Sequence, residues 1–113
     1  MISFTKYKLG LKPGETFTVT STNAAQTFTS AQRTRNGSHA VACLISVESN
    51  AIKFTLGGST PVSSGLGHTL QTTYSVLYLE SPPLIHDFSF ISATAGSHGV
   101  LQVTMLFEPG VTV

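Results

Sequence analysis

Apolar residues recur at every second position along most of this chain, and that period constrains the fold more than any other feature. Between Ala40 and Val47, Val41, Cys43, Ile45 and Val47 share one face and Ala40, Ala42, Leu44 and Ser46 the other. Ile52, Phe54 and Leu56 point one way while Lys53 and Thr55 point the other. Phe17 and Val19 alternate with Thr16, Thr18 and Thr20, and Leu101, Val103, Met105 and Phe107 alternate with Val100, Gln102 and Thr104. A two-residue period with one apolar and one polar face is the pattern of half-buried antiparallel strands. Val76 to Leu79 is apolar throughout and reads as a strand covered on both faces. Leu84 to Ser92 reads as another strand, with Leu84, His86, Phe88 and Phe90 on one side and Ile85, Asp87, Ser89 and Ile91 on the other. The core expected from these faces includes Ile52, Phe54, Val76, Phe88, Val103 and Met105.

The breaks between these runs carry turn chemistry. Lys12-Pro13-Gly14-Glu15 reads as a type II turn and Arg35-Asn36-Gly37-Ser38 as an Asn-Gly hairpin. Glu48 to Ala51 is a short connection, Ala95 to Gly99 a further turn, and Ser81-Pro82-Pro83 ends a strand because proline cannot donate to a ladder. The stretch from Asn23 to Thr34 is the one helical candidate, and its Thr and Phe content favours strand or loop. Seven or eight strands with turns about every ten residues predict an all-β fold. The expected form is a single-domain antiparallel β-sandwich, jelly-roll-like, over residues 1–113, with 1–12 as an N-terminal arm. Strand order is not readable from the pattern.

Charge narrows the functional classes. Asp, Glu, Lys and Arg make up 10% of the chain, against roughly 25% in an average soluble protein. Ser and Thr supply 30 of the 113 residues. Such a surface repels neighbours weakly and suits a protein packed against others. A net charge of +1 leaves no basic footprint, so no nucleic-acid partner is expected. Lys6, Lys8, Lys12, Arg33 and Arg35 precede Cys43, whereas Glu48, Glu80, Asp87 and Glu108 follow it. That order reads first as chance in a small sample, and otherwise as a positive end able to meet an acidic surface. Lysines interrupt the N-terminus where a signal peptide would be apolar, and no run approaches ~18 apolar residues. Neither export nor membrane insertion is therefore expected. One cysteine, Cys43, excludes an internal disulfide.

No constellation of residues suggests catalysis. Gly57-Gly58 to Gly67 looks like a nucleotide loop, but a phosphate site needs a following helix or a terminal Gly-Lys-Ser/Thr. Strand follows instead, so the segment reads as a long strand-to-strand loop. His39, His68, His86 and His98 lack metal-ligand spacing. Cys43 lies mid-strand on an apolar face, where a thiol stays neutral and inert. No serine sits in a nucleophile elbow, and the acids lie near strand ends, where charge is solvated. The reading is of a protein that is not an enzyme and needs no cofactor or metal. Sugar stacking would rest on Tyr7, Tyr74 and Tyr78, since there is no Trp.

From Ser38 to Glu108 the order of parts is distinctive. An alternating strand ends in Val47-Glu48, and Asn50-Ala51-Ile52-Lys53-Phe54-Thr55-Leu56-Gly57-Gly58 follows, with Pro61 in the loop. Gly67-His68-Thr69-Leu70 opens the next strand, and a further strand runs to Glu80-Ser81. A Phe-rich stretch, Asp87 to Thr94, precedes the last strand, Gly99 to Glu108. In this order the chain resembles small virion structural proteins of tailed bacteriophages. Those proteins often carry Asp-Gly where this chain has Gly57-Gly58. The resemblance implies a place in the virion more than a mechanism: a decoration or cement protein that stabilises the head. Its partners would be the major capsid protein or other virion proteins and further copies of itself. A neck, adaptor or tail component is the alternative, as is a carbohydrate-binding module for host attachment. The residues expected to make contact are Lys6, Lys8 and Lys12 on the arm and Ser59, Thr60, Pro61, Ser63 and Ser64 on the loop. Neutral hydroxyls can bond a partner without burying charge.

Overall fold

The computed structural model describes residues 10–73 and 76–112. Two four-stranded antiparallel sheets form a sandwich. One has the order β1 (Lys12–Thr20), β10 (Val100–Phe107), β5 (Ala42–Glu48), β8 (Leu77–Leu79). The other has the order β2 (Gln26–Thr27), β9 (Ser89–Ser92), β6 (Ile52–Thr55), β7 (His68–Leu70). The first strand lies beside the last in one sheet, and the second beside the second-to-last in the other. This nested order is jelly-roll connectivity, so the sandwich expected from the alternation is the fold observed. Two insertions stand outside the sheets. One is α1 (Ser30–Arg33) with the ribbon β3 (Thr34–Arg35) and β4 (Ser38–His39); the other is α2 (Pro82–Asp87).

The inward faces are those that the alternation selects. Cys43, Ile45, Leu101, Val103, Ile52 and Phe88 are fully buried, and Met105 and Phe107 nearly so. Burying each large side chain contributes roughly 1.5–3 kcal/mol. Phe88 is the centre of an aromatic cluster. Its ring stacks on Phe28 at 5.5 Å and on Phe54 at 5.4 Å, and tilts against Phe90 at 5.7 Å. Phe17 meets Phe28 edge-on at 6.2 Å. These aromatics come from both sheets and join them.

At one end, where the chain crosses between sheets, hydroxyls tie the β1–β2 and β9–β10 connections together. Gly99 N–H donates to Ser21 Oγ, which lies 2.8 Å from Ser92 Oγ, which in turn lies 2.8 Å from His98 Nδ1. With His98 accepting at Nδ1, every donor in the chain points the same way and all are satisfied. The Ser92–His98 distance suits a nucleophile and base, yet Ser92 is fully buried and bonded on its other side to Ser21. The arrangement is a structural clasp.

Four local expectations are corrected. Lys12 to Glu15 is not a turn: it lies in β1, with a register shift between Pro13 and Thr16. An edge strand tolerates that proline, and Gly14 lets the Phe107 ring pass, since a Cβ there would sit 3.2 Å from it. Residues 84–87 are not strand. Ser81 Oγ accepts from Leu84 N–H, and prolines fill the first helical positions, so Ser81-Pro82-Pro83 starts α2 instead of merely ending β8. Likewise Thr29 and Gln32 form a reciprocal capping box that starts α1. The apolar run Val76 to Leu79 is not covered on both faces. It forms the edge strand β8, where only Leu79 is buried and Val76 lies half-buried before it. The Asn-Gly hairpin is as expected, with Asn36 at φ 49° and Gly37 at φ 80°.

Candidate interaction surface

The loop from Gly57 to Gly67 joins β6 to β7, whose antiparallel pairing closes at Phe54 and His68. Gly57, at φ 76°, supplies the left-handed turn out of β6. The loop does not project into solvent. Ser63 Oγ donates to the Ser92 carbonyl at 2.6 Å, and Ser64 N–H to the Ala93 carbonyl at 3.0 Å. Thr55 Oγ1 donates to the Ser59 carbonyl, and Lys53 Nζ to the Gly67 carbonyl at 3.3 Å.

These bonds carry the loop across the outside of the second sheet. Thr55, Ser89 and Ile91 alternate with the core residues Phe54 and Phe90 and so face away from the core, yet all three are buried. Pro61 is also fully buried. The loop therefore covers this sheet's outer face. Pro61 is buried and Ser63 half-buried with its hydroxyl bonded to the Ser92 carbonyl, so these two anchor the loop. Ser59, Thr60 and Ser64 remain exposed. Lys6 and Lys8 lie outside the described residues. Lys12 opens β1 in the other sheet, and its Nζ donates to the Val111 carbonyl at 3.3 Å. Among the described residues, Lys12 and the loop residues therefore belong to different sheets.

The alternation misplaces one residue, Leu56, at the start of this loop. Among the described residues, the exposed large hydrophobics are Leu56, Val62 and Leu66, at 38%, 52% and 60% exposure. Leu56 continues the Ile52–Phe54 face in sequence, but β6 ends at Thr55 and Gly57 turns the chain away. Leu56 and Leu66 border a shallow cleft of about 360 Å³ with Thr55, Ser59, Gly67 and His68. No Asp, Glu, Lys or Arg occurs between Phe54 and Leu79. The first sheet's outer face is equally free of charge at its centre. Thr16 Oγ1 and Thr104 Oγ1 are 2.6 Å apart, Thr18 Oγ1 donates to Gln102 Oε1 at 2.9 Å, and Leu44 and Ser46 continue the rows.

Antiparallel pairing of the first and last strands sets Lys12 opposite Phe107, next to Glu108, and Glu80 and Glu108 line one cleft. The Cys43 thiol is sealed in the core. Burial pushes it up to about 12, with a hydrogen bond at the Leu79 backbone opposing.

Among the described residues, no group of three or more His, Cys, Asp or Glu is placed to hold a metal, and no helix is long and apolar enough to cross a membrane. What the described surface offers is an apolar crest on the second sheet's side, with Lys53 bonded to its loop, and uncharged hydroxyl rows on the first sheet's outer face. No family model, curated protein or solved structure matches the chain.

Proposed function

We propose that this chain is a non-enzymatic structural protein of a tailed-phage virion. In this reading it decorates or cements the head, binding the major capsid protein and further copies of itself. The observation that carries the reading is the exposed trio Leu56, Val62 and Leu66 on a loop pinned to a rigid sheet. Apolar side chains held on a fixed scaffold are anchors for association, because little ordering entropy opposes their burial. The loop itself carries no charged side chain and the neighbouring Lys53 ammonium is already bonded to the Gly67 carbonyl, which lowers the desolvation penalty of such a contact. Many equivalent weak contacts on a shell add to firm attachment. The resemblance to phage virion proteins supplies the location. The jelly roll serves capsid and lectin domains alike, so it supports a virion role only by analogy.

The test is location and copy number in purified virions by quantitative mass spectrometry and particle imaging. Hundreds of copies on the head would support decoration, as symmetric shells repeat each site. About a dozen copies or fewer would indicate the neck, adaptor or tail component instead. Absence from the particle would refute a virion role, and a glycan-array signal would then favour host-sugar binding.

A further inference from the structure

The two insertions outside the sheets face each other across a cleft of about 240 Å³. Its floor is Ala40 and Ile85, both buried, and its walls are Pro82 and Pro83. Its rim carries Arg33 from α1, His39 from β4 and His86 from α2. The eight-strand framework does not require these insertions. Segments added to a rigid scaffold are where binding residues concentrate.

We infer that this cleft binds a carboxylate carried on a short apolar stem. Three nitrogen-bearing side chains converge on it, and no acidic side chain lines it. The apolar floor and proline walls suit a small hydrocarbon or aromatic group. The volume falls below the ~300 Å³ at which drug-sized pockets begin, which limits the ligand to a small acid or a single partner side chain. Arg33 is held in place, since its Nε–H donates to the Phe28 carbonyl at 3.2 Å. That bond leaves the two Nη groups as the fork for a carboxylate.

His86 is oriented by its neighbour: its Nδ1 lies 2.9 Å from Asp87 Oδ1. The other charged or titratable groups nearby are His39 and Arg33 on the rim and Arg35 on β3. Glu80 lies beyond Pro82 in the neighbouring cleft.

The experiment titrates the full chain with benzoate and with its neutral isostere benzamide, read by amide and imidazole NMR shifts. Benzoate should shift Arg33, His39 and His86 with millimolar affinity, at least tenfold tighter than benzamide. Arg33→Gln should erase the tenfold preference while benzamide still reports an intact cleft, and Arg33→Lys should restore part of it. A blocked pentapeptide with a central Glu flanked by leucines is the second arm. Tighter binding of the peptide than of benzoate assigns the cleft to a partner's side chain, and the reverse assigns it to a free acid. Equal binding of benzoate and benzamide, shifts confined to other surfaces, or an unchanged preference in Arg33→Gln would each overturn the inference.

Discussion

Replacing Ser59 to Ser64 with a flexible Gly-Ser segment of equal length tests whether the β6–β7 loop is a cover or a connector. A connector on the surface would tolerate the exchange, because loop closure depends weakly on composition. The structure argues otherwise. The exchange removes the Ser63 hydroxyl bond to Ser92 and weakens the bonds at Ser64 and Ser59, together about 2 kcal/mol at ~1 kcal/mol per bond. It also deletes the buried Pro61 and uncovers Ile91, which adds about 1.5–3 kcal/mol. The expected loss is therefore about 4 kcal/mol, out of a total stability of roughly 5–15 kcal/mol. Urea denaturation followed by far-UV circular dichroism reads it directly, and melting should fall by roughly 15 °C. A loss under about 1 kcal/mol would refute the reasoning. It would mean that Ile91, Thr55 and Ser89 do not depend on the loop for their burial.

The remaining expectations concern the crest, the aromatic cluster, the thiol and one glycine. Leu56→Gln, Val62→Thr and Leu66→Gln together should change stability by less than about 1 kcal/mol, because the side chains are exposed. The same triple variant should weaken self-association or particle attachment at least tenfold by sedimentation; unchanged association would exclude the crest as the contact. Phe88→Ala should cost about 3–5 kcal/mol and Phe88→Leu distinctly less, since leucine keeps most of the volume but none of the three ring contacts. Equal losses in denaturant unfolding would argue that the ring geometry is immaterial.

Cys43 is held at about 12 against 9.0 for the free thiol, so folding favours its neutral form. Its contribution is intact below about pH 9 and declines as pH rises toward 12, by up to about 4 kcal/mol at 1.36 kcal/mol per unit. Cys43→Ala should flatten the alkaline fall in melting temperature, and thiol reagents should label the native protein only at its opening rate. Gly99→Ala would drive a Cβ into the Asn50 carbonyl and the Ile52 side chain. It should cost about 3 kcal/mol, read by the same urea titration.

Local periodicity determined which residues this protein buries. Cys43, Ile45, Leu101, Val103 and Met105 are core because a strand's side chains alternate, and one sheet face must leave water. The Asn36-Gly37 turn was equally legible, since few residues accept its backbone angles. Local signals that compete were harder to weigh. Ser81-Pro82-Pro83 both ends β8 and caps α2, and the sequence shows the strand break more plainly than the helix start. What no local rule could supply was the pairing of distant segments. The nesting of β1 beside β10 places Lys12 near Glu108, although the two stand 96 positions apart in the chain. The return of residues 57–67 over the second sheet buries Pro61 and lifts Leu56, Val62 and Leu66 into solvent. The cleft between α1 and α2 exists only because two insertions, separated by nearly half the chain, meet on one end of the sandwich. Alternation acts between neighbours in sequence, whereas these contacts are chosen by whichever closure of the whole chain buries the most apolar surface.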